Sequence, residues 1–166
     1  MDPVLSRRNI RKYSNQPIKE EDLRLLLRAA MVAPSADDER PWHFVIIQDE
    51  QILEQISKIH PHAHMVKHAS VTILVCGDER LQKVPGFWPQ DCAAATENIL
   101  IEAQQLGLGT VWLGIYPVSG RVEGFRRLLK IPEQVVPFAL VVLGYPAEHK
   151  EPAQIYDESR VHRGNW

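Results

Sequence analysis

Residues Ser6-Arg7-Arg8-Asn9-Ile10-Arg11-Lys12-Tyr13 gather four cations around one amide near the start of the chain. Two arginines can hold a phosphate through paired, charge-assisted hydrogen bonds, and the Asn9 amide adds a neutral donor. In a helix, Arg7 and Arg11 would share one face, and Arg8 and Lys12 the next. On composition alone, a solvated basic face is the simpler account. A second group is Pro34-Ser35-Ala36-Asp37-Asp38-Glu39-Arg40-Pro41-Trp42. Ser35 and Ala36 are small enough for a ligand to approach the backbone, and the three acids read as a polar surface loop. A third stretch, Leu106 to Pro117, is punctuated by Gly107, Gly109 and Gly114. Its G-x-G-x-x-x-x-G spacing follows a helix instead of a strand and lacks a phosphate-loop lysine, so a Rossmann dinucleotide site or a P-loop is poorly supported. Glycine in a strand marks either the close approach of a flat ligand or a cap and bulge. Near the end, Arg160, His162 and Arg163 bring cations together in what composition alone describes as a solvated tail.

Two constellations lead elsewhere. His60, His62, His64 and His68 lie close in sequence. Pro61 and the lack of a nearby cysteine or carboxylate argue against a metal site, and none is expected. No Ser-His-Asp order or spaced carboxylate pair is present either. If the chain is an enzyme, its chemistry belongs to a cofactor.

The elements that must position these groups follow from periodicity. Pro17 to Pro34 reads as an amphipathic helix, with Leu23, Leu26, Leu27 and Ala30 on one face and Glu20, Glu21 and Asp22 in the first turn. Trp42 to Gln48 is a buried strand rich in β-branched residues. Glu50 to His60 is a helix with Ile52, Ile56 and Ile59 on one side. Ser70 to Asp78 is a second strand. Gln90 to Gly109 opens as an Ala-rich helix, with Gly107 as its cap. Thr110 to Tyr116 is a third strand. Val118 to Pro132 is a helix with Val122, Phe125 and Leu129 inward. Val135 to Pro146 is a fourth strand whose Pro137 marks a bulge or an edge. Residues 147–166 have neither period, yet Ile155, Tyr156, Val161 and Trp166 are apolar enough to bury, as in a tail that wraps around a second subunit. Four strands alternating with helices give an α/β or α+β sandwich.

A length of 166 residues suits one domain, residues 1–166. A net charge of -2 excludes a general nucleic-acid or membrane-surface role, so any anion site is local. No apolar run nears the ~20 residues of a membrane span, and none follows the basic cluster as a signal peptide would. Cys76 and Cys92 sit in apolar surroundings and read as buried, reduced thiols. A cytoplasmic protein is expected.

The four stretches, in this order and spacing, resemble the FMN-dependent nitroreductase family along nearly the whole chain. Arg7-Arg8-Asn9-Ile10-Arg11 matches the family's basic RRS-x-R opening, and Pro34 to Trp42 its PS-x-x-N-x-QPW loop. The helix ending in Gly-Leu-Gly leads to Val111-Trp112-Leu113-Gly114, and Ser159 to Trp166 closes the set. The resemblance implies a three-layer α/β/α sandwich of α+β class with a mainly antiparallel central sheet. It implies an intertwined homodimer in which residues 146–166 form an arm across the partner. It further implies FMN as cofactor, NAD(P)H as electron donor, and a nitroaromatic, quinone or similar small molecule as acceptor, reduced by ping-pong hydride transfer through flavin N5. No nucleic acid or membrane partner is implied. By the same resemblance, Arg7, Asn9, Arg160 and Arg163 hold the FMN phosphate, and Arg8 lies against the flavin chain. Arg11 sits at the pyrimidine edge. Pro34, Ser35, Ala36 and Asp38 reach the flavin from the other subunit. Val111, Trp112, Leu113 and Gly114 run beside the ring, with backbone facing N5. No side chain is implied as an acid or base. Three positions depart from the family: Asn9 stands for Ser, Asp38 for Asn and Arg40 for Gln. Ionised Asp38 only accepts hydrogen bonds, and Arg40 is placed to pair with it. An FMN-binding dimer with a different flavin chemistry, or a regulatory one without turnover, is the alternative.

Overall fold

A computed structural model describes residues 2–166. The chain opens with α1 (Pro3–Ser6), capped by Asp2, whose Oδ1 accepts from the Val4 N–H at 2.8 Å. It continues through α2 (Glu20–Met31), β1 (Trp42–Ile47), α3 (Glu50–Ile59), β2 (Val71–Asp78), α4 (Trp88–Gln105), β3 (Gly109–Gly114), α5 (Ser119–Leu129) and β4 (Val135–Gly144). The strands form one sheet in the order β1-β2-β4-β3, and every neighbouring pair is antiparallel. Helix α4 crosses the sheet and touches all four strands, with α2 packed on its outer side. Helices α3 and α5 pair with each other, and α5 lies on β4. The result is a three-layer α+β sandwich.

The two central strands, β2 and β4, are buried at every position. Unbroken apolar runs of this kind are commonest in parallel sheets, which helices cover on both faces. Here an antiparallel sheet is covered in the same way, so strand direction leaves no trace in the pattern. Of the expected apolar helix faces, Leu23, Leu26 and Ala30 of α2, Ile56 of α3, and Val122 and Phe125 of α5 are buried, while Leu27, Ile52, Ile59 and Leu129 are only partly so and Leu53 takes the second buried place on α3. Each large side chain fully withdrawn from water contributes about 1.5–3 kcal/mol. Between the two alternatives for Pro137, the structure selects the bulge. Val75 faces Ala139 and Cys76 faces Pro137, which leaves Phe138 as the extra residue of a central strand. Helix α4 starts two residues earlier than its Ala-rich stretch suggests, because Pro89 is tolerated in a first turn. Gly107 ends it with φ +74°, a left-handed conformation that glycine adopts without a Cβ penalty.

The basic opening segment is not helical beyond Ser6. Arg7 leaves α1 in an extended conformation, and Asn9 bridges in parallel to Thr110 of β3. The i,i+4 pairing of Arg7 with Arg11 and of Arg8 with Lys12 therefore does not arise. Both cysteines are buried and free, and burial pushes the Cys76 thiol up to about 12. Among the described residues, no helix is long and apolar enough to cross a membrane.

The seating of the opening segment depends on a close approach at Gly109. A Cβ there would lie 2.7 Å from Ile10 Cγ2 and 2.8 Å from Ile10 Cβ. Gly109→Ala is expected to destabilise the chain by about 1–3 kcal/mol through overpacking. Urea denaturation checks this as a lowered midpoint at unchanged slope.

Candidate functional site

Strand β3 is at the edge of the sheet, so half of its backbone groups lack a β4 partner. The Ile115 N–H donates to Phe138 O at 3.0 Å, which fixes the parity: odd residues of β3 bond to β4 and even ones face outward. Two further bonds obey it. Thr110 O accepts from the Ile10 N–H at 2.8 Å, and Gly114 O accepts from side chains off the sheet. The amide groups of Trp112 and the N–H of Gly114 thus line an open edge. Gly114 is exposed, and a Cβ built on it would meet nothing within 4 Å.

The opening segment brings its cations to the start of this edge. Arg7 Nε comes within 3.3 Å of Glu97 Oε1 on α4, but the geometry makes no hydrogen bond and leaves Nε a buried donor without an acceptor. Arg8 turns the other way and donates to Glu151 O. Asn9 O accepts from Lys150 Nζ at 2.6 Å, while the Arg11 N–H donates to Glu148 Oε1 at 2.6 Å. The segment is thereby held between β3 and residues 146–152, which fold back on their own chain: the Ala147 N–H donates to Lys12 O at 2.9 Å. Past Pro152 every residue is exposed. Arg160 pairs there with Asp157 at 3.1 Å, and His162 stacks on Trp166. Within one chain, Arg160 and Arg163 therefore lie on an exposed arm.

The Pro34–Trp42 loop has strained backbone. Asp37, Asp38 and Arg40 have φ of 48°, 52° and 45°, a region costly for side chains other than glycine and mildest for Asp and Asn. Asp38 and Arg40 form the expected pair, with Arg40 Nε donating to Oδ1 at 2.6 Å and Nη2 to Oδ2 at 2.9 Å. Ser35 Oγ accepts from the Arg40 N–H at 3.1 Å. Glu39 is a correction: one of three acids read as surface, it is buried. Its Oε2 accepts from the N–H groups of Lys83 and Val84 at 2.7 and 2.9 Å. Asp91, buried at the start of α4, accepts from the Ala36 N–H at 3.0 Å.

Glu39 and Asp91 also lie close enough to perturb each other's ionisation. Neither Glu39 Oε1 nor Asp91 Oδ2 finds a donor. Two neighbouring buried carboxylates disfavour double ionisation, which drives their proton affinities apart. Burial would raise Glu39, but the N–H groups of Val84 and Lys83 outweigh it and hold Glu39 below the usual carboxylate range. Burial pushes Asp91 up, with the charge of Glu39 adding to the effect. Of the two, Asp91 is thus the group that holds a proton more readily. The pair ties the strained loop to α4.

Sequence reasoning missed three of these groups. Glu39 and Asp91 are far apart in the chain, and only the fold joins them. His60, noted in its cluster, is buried with Nε2 at 3.0 Å from Gly114 O, and Arg121 Nη1 donates to the same oxygen at 2.7 Å. Among the described residues, no three metal-ligating side chains converge.

The fold is thus an α+β sandwich whose covered antiparallel sheet keeps one edge partly open, with a basic segment docked at its start. The model of the nitroreductase family matches this chain over residues 4–70 and 60–145. The chain belongs to that family. A candidate NADH dehydrogenase/NAD(P)H nitroreductase of Methanothermobacter thermautotrophicus is 49% identical over 166 residues, which is 100% of this chain and 87% of the relative. An FMN-dependent nitroreductase of Clostridium difficile superposes with a TM-score of 0.92 at 27% identity, covering 99% of each chain. A candidate nitroreductase of Desulfovibrio desulfuricans in complex with FMN superposes at 0.85 and 27% identity, covering 99% of this chain and 95% of its own.

A raised Asp91 favours the fold fully below about pH 4 and loses that contribution as pH rises through its folded value. Asp91→Asn stays neutral, keeps an oxygen for Ala36 and gains an amide donor for Glu39. Thermal melts from about pH 5 to about pH 9 are expected to show the variant gaining on the wild type as pH rises. Parallel curves would exclude the raised Asp91.

Proposed function

We propose that this chain is an FMN-dependent NAD(P)H oxidoreductase, acting as a homodimer on nitroaromatic, quinone or similar small acceptors in a ping-pong cycle. The observation that carries it is the docking of the Arg7–Arg11 segment at Thr110, which brings cations to the start of the edge that Trp112 and Gly114 continue. The residues fit the cofactor. Arg7 Nε is a buried donor in want of an acceptor, as a phosphate would supply. The open space over Gly114 admits a planar ring against backbone.

When bound, FMN supplies the redox chemistry, taking hydride at N5 from NAD(P)H and passing reducing equivalents to the acceptor. The chain binds and tunes it. Arg7 and Asn9 hold the phosphate, joined by Arg160 and Arg163 from the arm, and Arg8 steadies the flavin chain. Arg11 offsets negative charge at the pyrimidine edge. Trp112 and Gly114 present N–H donors to the ring edge, flanked by Val111 and Leu113. Pro34, Ser35, Ala36 and Asp38 close the site from the second subunit. Asp38 is already occupied by Arg40, so this loop offers the flavin less side-chain donation than an Asn would. The arm supports the dimer: Ile155, Tyr156 and Trp166 are 86%, 80% and 100% exposed, and a second copy would remove that apolar surface from water.

Titration of the purified chain with FMN is expected to quench flavin fluorescence with saturation, and NADH or NADPH to bleach the bound flavin anaerobically. Arg7→Ala combined with Arg160→Ala is expected to weaken FMN binding by roughly 100-fold, since each charge-assisted bond contributes about 1.5–3 kcal/mol. Unchanged affinity would sink the phosphate assignment.

A further inference from the structure

The carbonyl of Gly114 is the last outward-facing acceptor of β3, and two side chains from different helical elements converge on it. His60, which follows α3 and is 1% exposed, meets it through Nε2 at 3.0 Å. Arg121, in the first turn of α5, donates to it through Nη1 at 2.7 Å. The environment fixes the imidazole tautomer. The His62 N–H donates to His60 Nδ1 at 3.2 Å, so Nδ1 must carry a lone pair, and the proton sits on Nε2 facing the carbonyl. The neighbouring charges agree. Arg121 and His62 both disfavour a second proton, as does burial, which leads in holding His60 below its usual value. Helices α3 and α5 are brought together closely enough for this because Gly124 lets Ile59 approach: a Cβ at Gly124 would lie 2.6 Å from Ile59 Cγ2.

Gly114 has no side chain to lock its torsions and ends an edge strand, so its peptide needs external restraint. We propose that His60 and Arg121 are positioning residues that clamp the Gly114 carbonyl and thereby fix the torsions at Gly114, across which its N–H, part of the preceding peptide unit, meets the flavin. The clamp rests on the FMN assignment above for its role, though not for its geometry. A carbonyl oxygen has two lone pairs, and each donor occupies one. Loss of one donor leaves the carbonyl held by the other, whereas loss of both leaves that peptide only the Ile115 N–H bond to Phe138 O. The two side chains must therefore act on the cofactor non-additively.

The test uses the full chain, with and without added FMN. Long-range proton–nitrogen NMR of His60 without FMN is expected to show the Nε2–H tautomer; an Nδ1–H tautomer overturns the clamp. With FMN, His60→Leu and Arg121→Met are each expected to weaken affinity by less than about 3-fold, and the double variant by more than about 10-fold. The flavin midpoint potential is expected to move most in the double variant. His60→Gln in the Arg121→Met background keeps an N–H donor and is expected to restore affinity to within about 3-fold of the wild type. Additive losses, or no loss in the double variant at an unchanged thermal midpoint, overturn the clamp while the FMN assignment stands. Failure of the wild type to take up FMN overturns that assignment and the flavin role together, and the tautomer then decides the clamp geometry by itself.

Discussion

The structure turns on the seating of an extended seven-residue stretch, Arg7 to Tyr13, against the free edge of β3. One backbone bond, from the Ile10 N–H to Thr110 O, sets its register. Ile10 fills the space that Gly109 leaves open, and the buried Tyr13 hydroxyl donates to Ile10 O at 2.6 Å. Moved by one residue, the stretch would exchange which side chains face α4 and which face residues 146–152. In the observed register Arg7 lies toward Glu97, and Arg8 toward the backbone of Glu151. The edge is blunted only at its start, so the amides of Trp112 and Gly114 are left for a ligand. An unpaired edge is normally a hazard for aggregation; here it is short and has a basic segment docked at its start.

A second theme is the holding of unfavourable local structure by buried polar groups. Three left-handed residues in the Asp37–Arg40 turn would not persist without compensation. Glu39 and Asp91 supply it through backbone bonds to the 83–84 turn and to Ala36. The Gly114 carbonyl is treated similarly by His60 and Arg121. In both places, polar side chains, buried except for the half-exposed Arg121, fix a backbone that the local sequence would leave loose. That is what a preorganised binding site requires.

The helices and strands were legible because each has one dominant apolar face or an unbroken apolar run. The pair Asp38–Arg40 could be anticipated, since both lie within one turn. Its neighbour Glu39 could not: a carboxylate among three acids looks solvated until a distant Asp91 and two backbone N–H groups enclose it. The conformation of the basic opening was also hidden. Four cations in seven residues fit a helix as well as a strand-like segment, and the choice came from the open β3 edge.

By itself, the sequence determined the longer helices, the four strands, the buried run of β2, the bulge or edge at Pro137 and the set of cations available to an anion. These follow from side-chain type and period, which act locally. Sequence reasoning missed α1 and read β1, a half-buried edge strand, as buried. Tertiary structure alone decided that the sheet is antiparallel, that Pro137 lies at a bulge within a central strand, and that Glu39 and Asp91 are buried as neighbours. It also decided that His60 serves the Gly114 carbonyl. Each of these depends on backbone direction or on contacts between residues far apart in the chain, where burial removes the competing water and makes the partner's identity decisive.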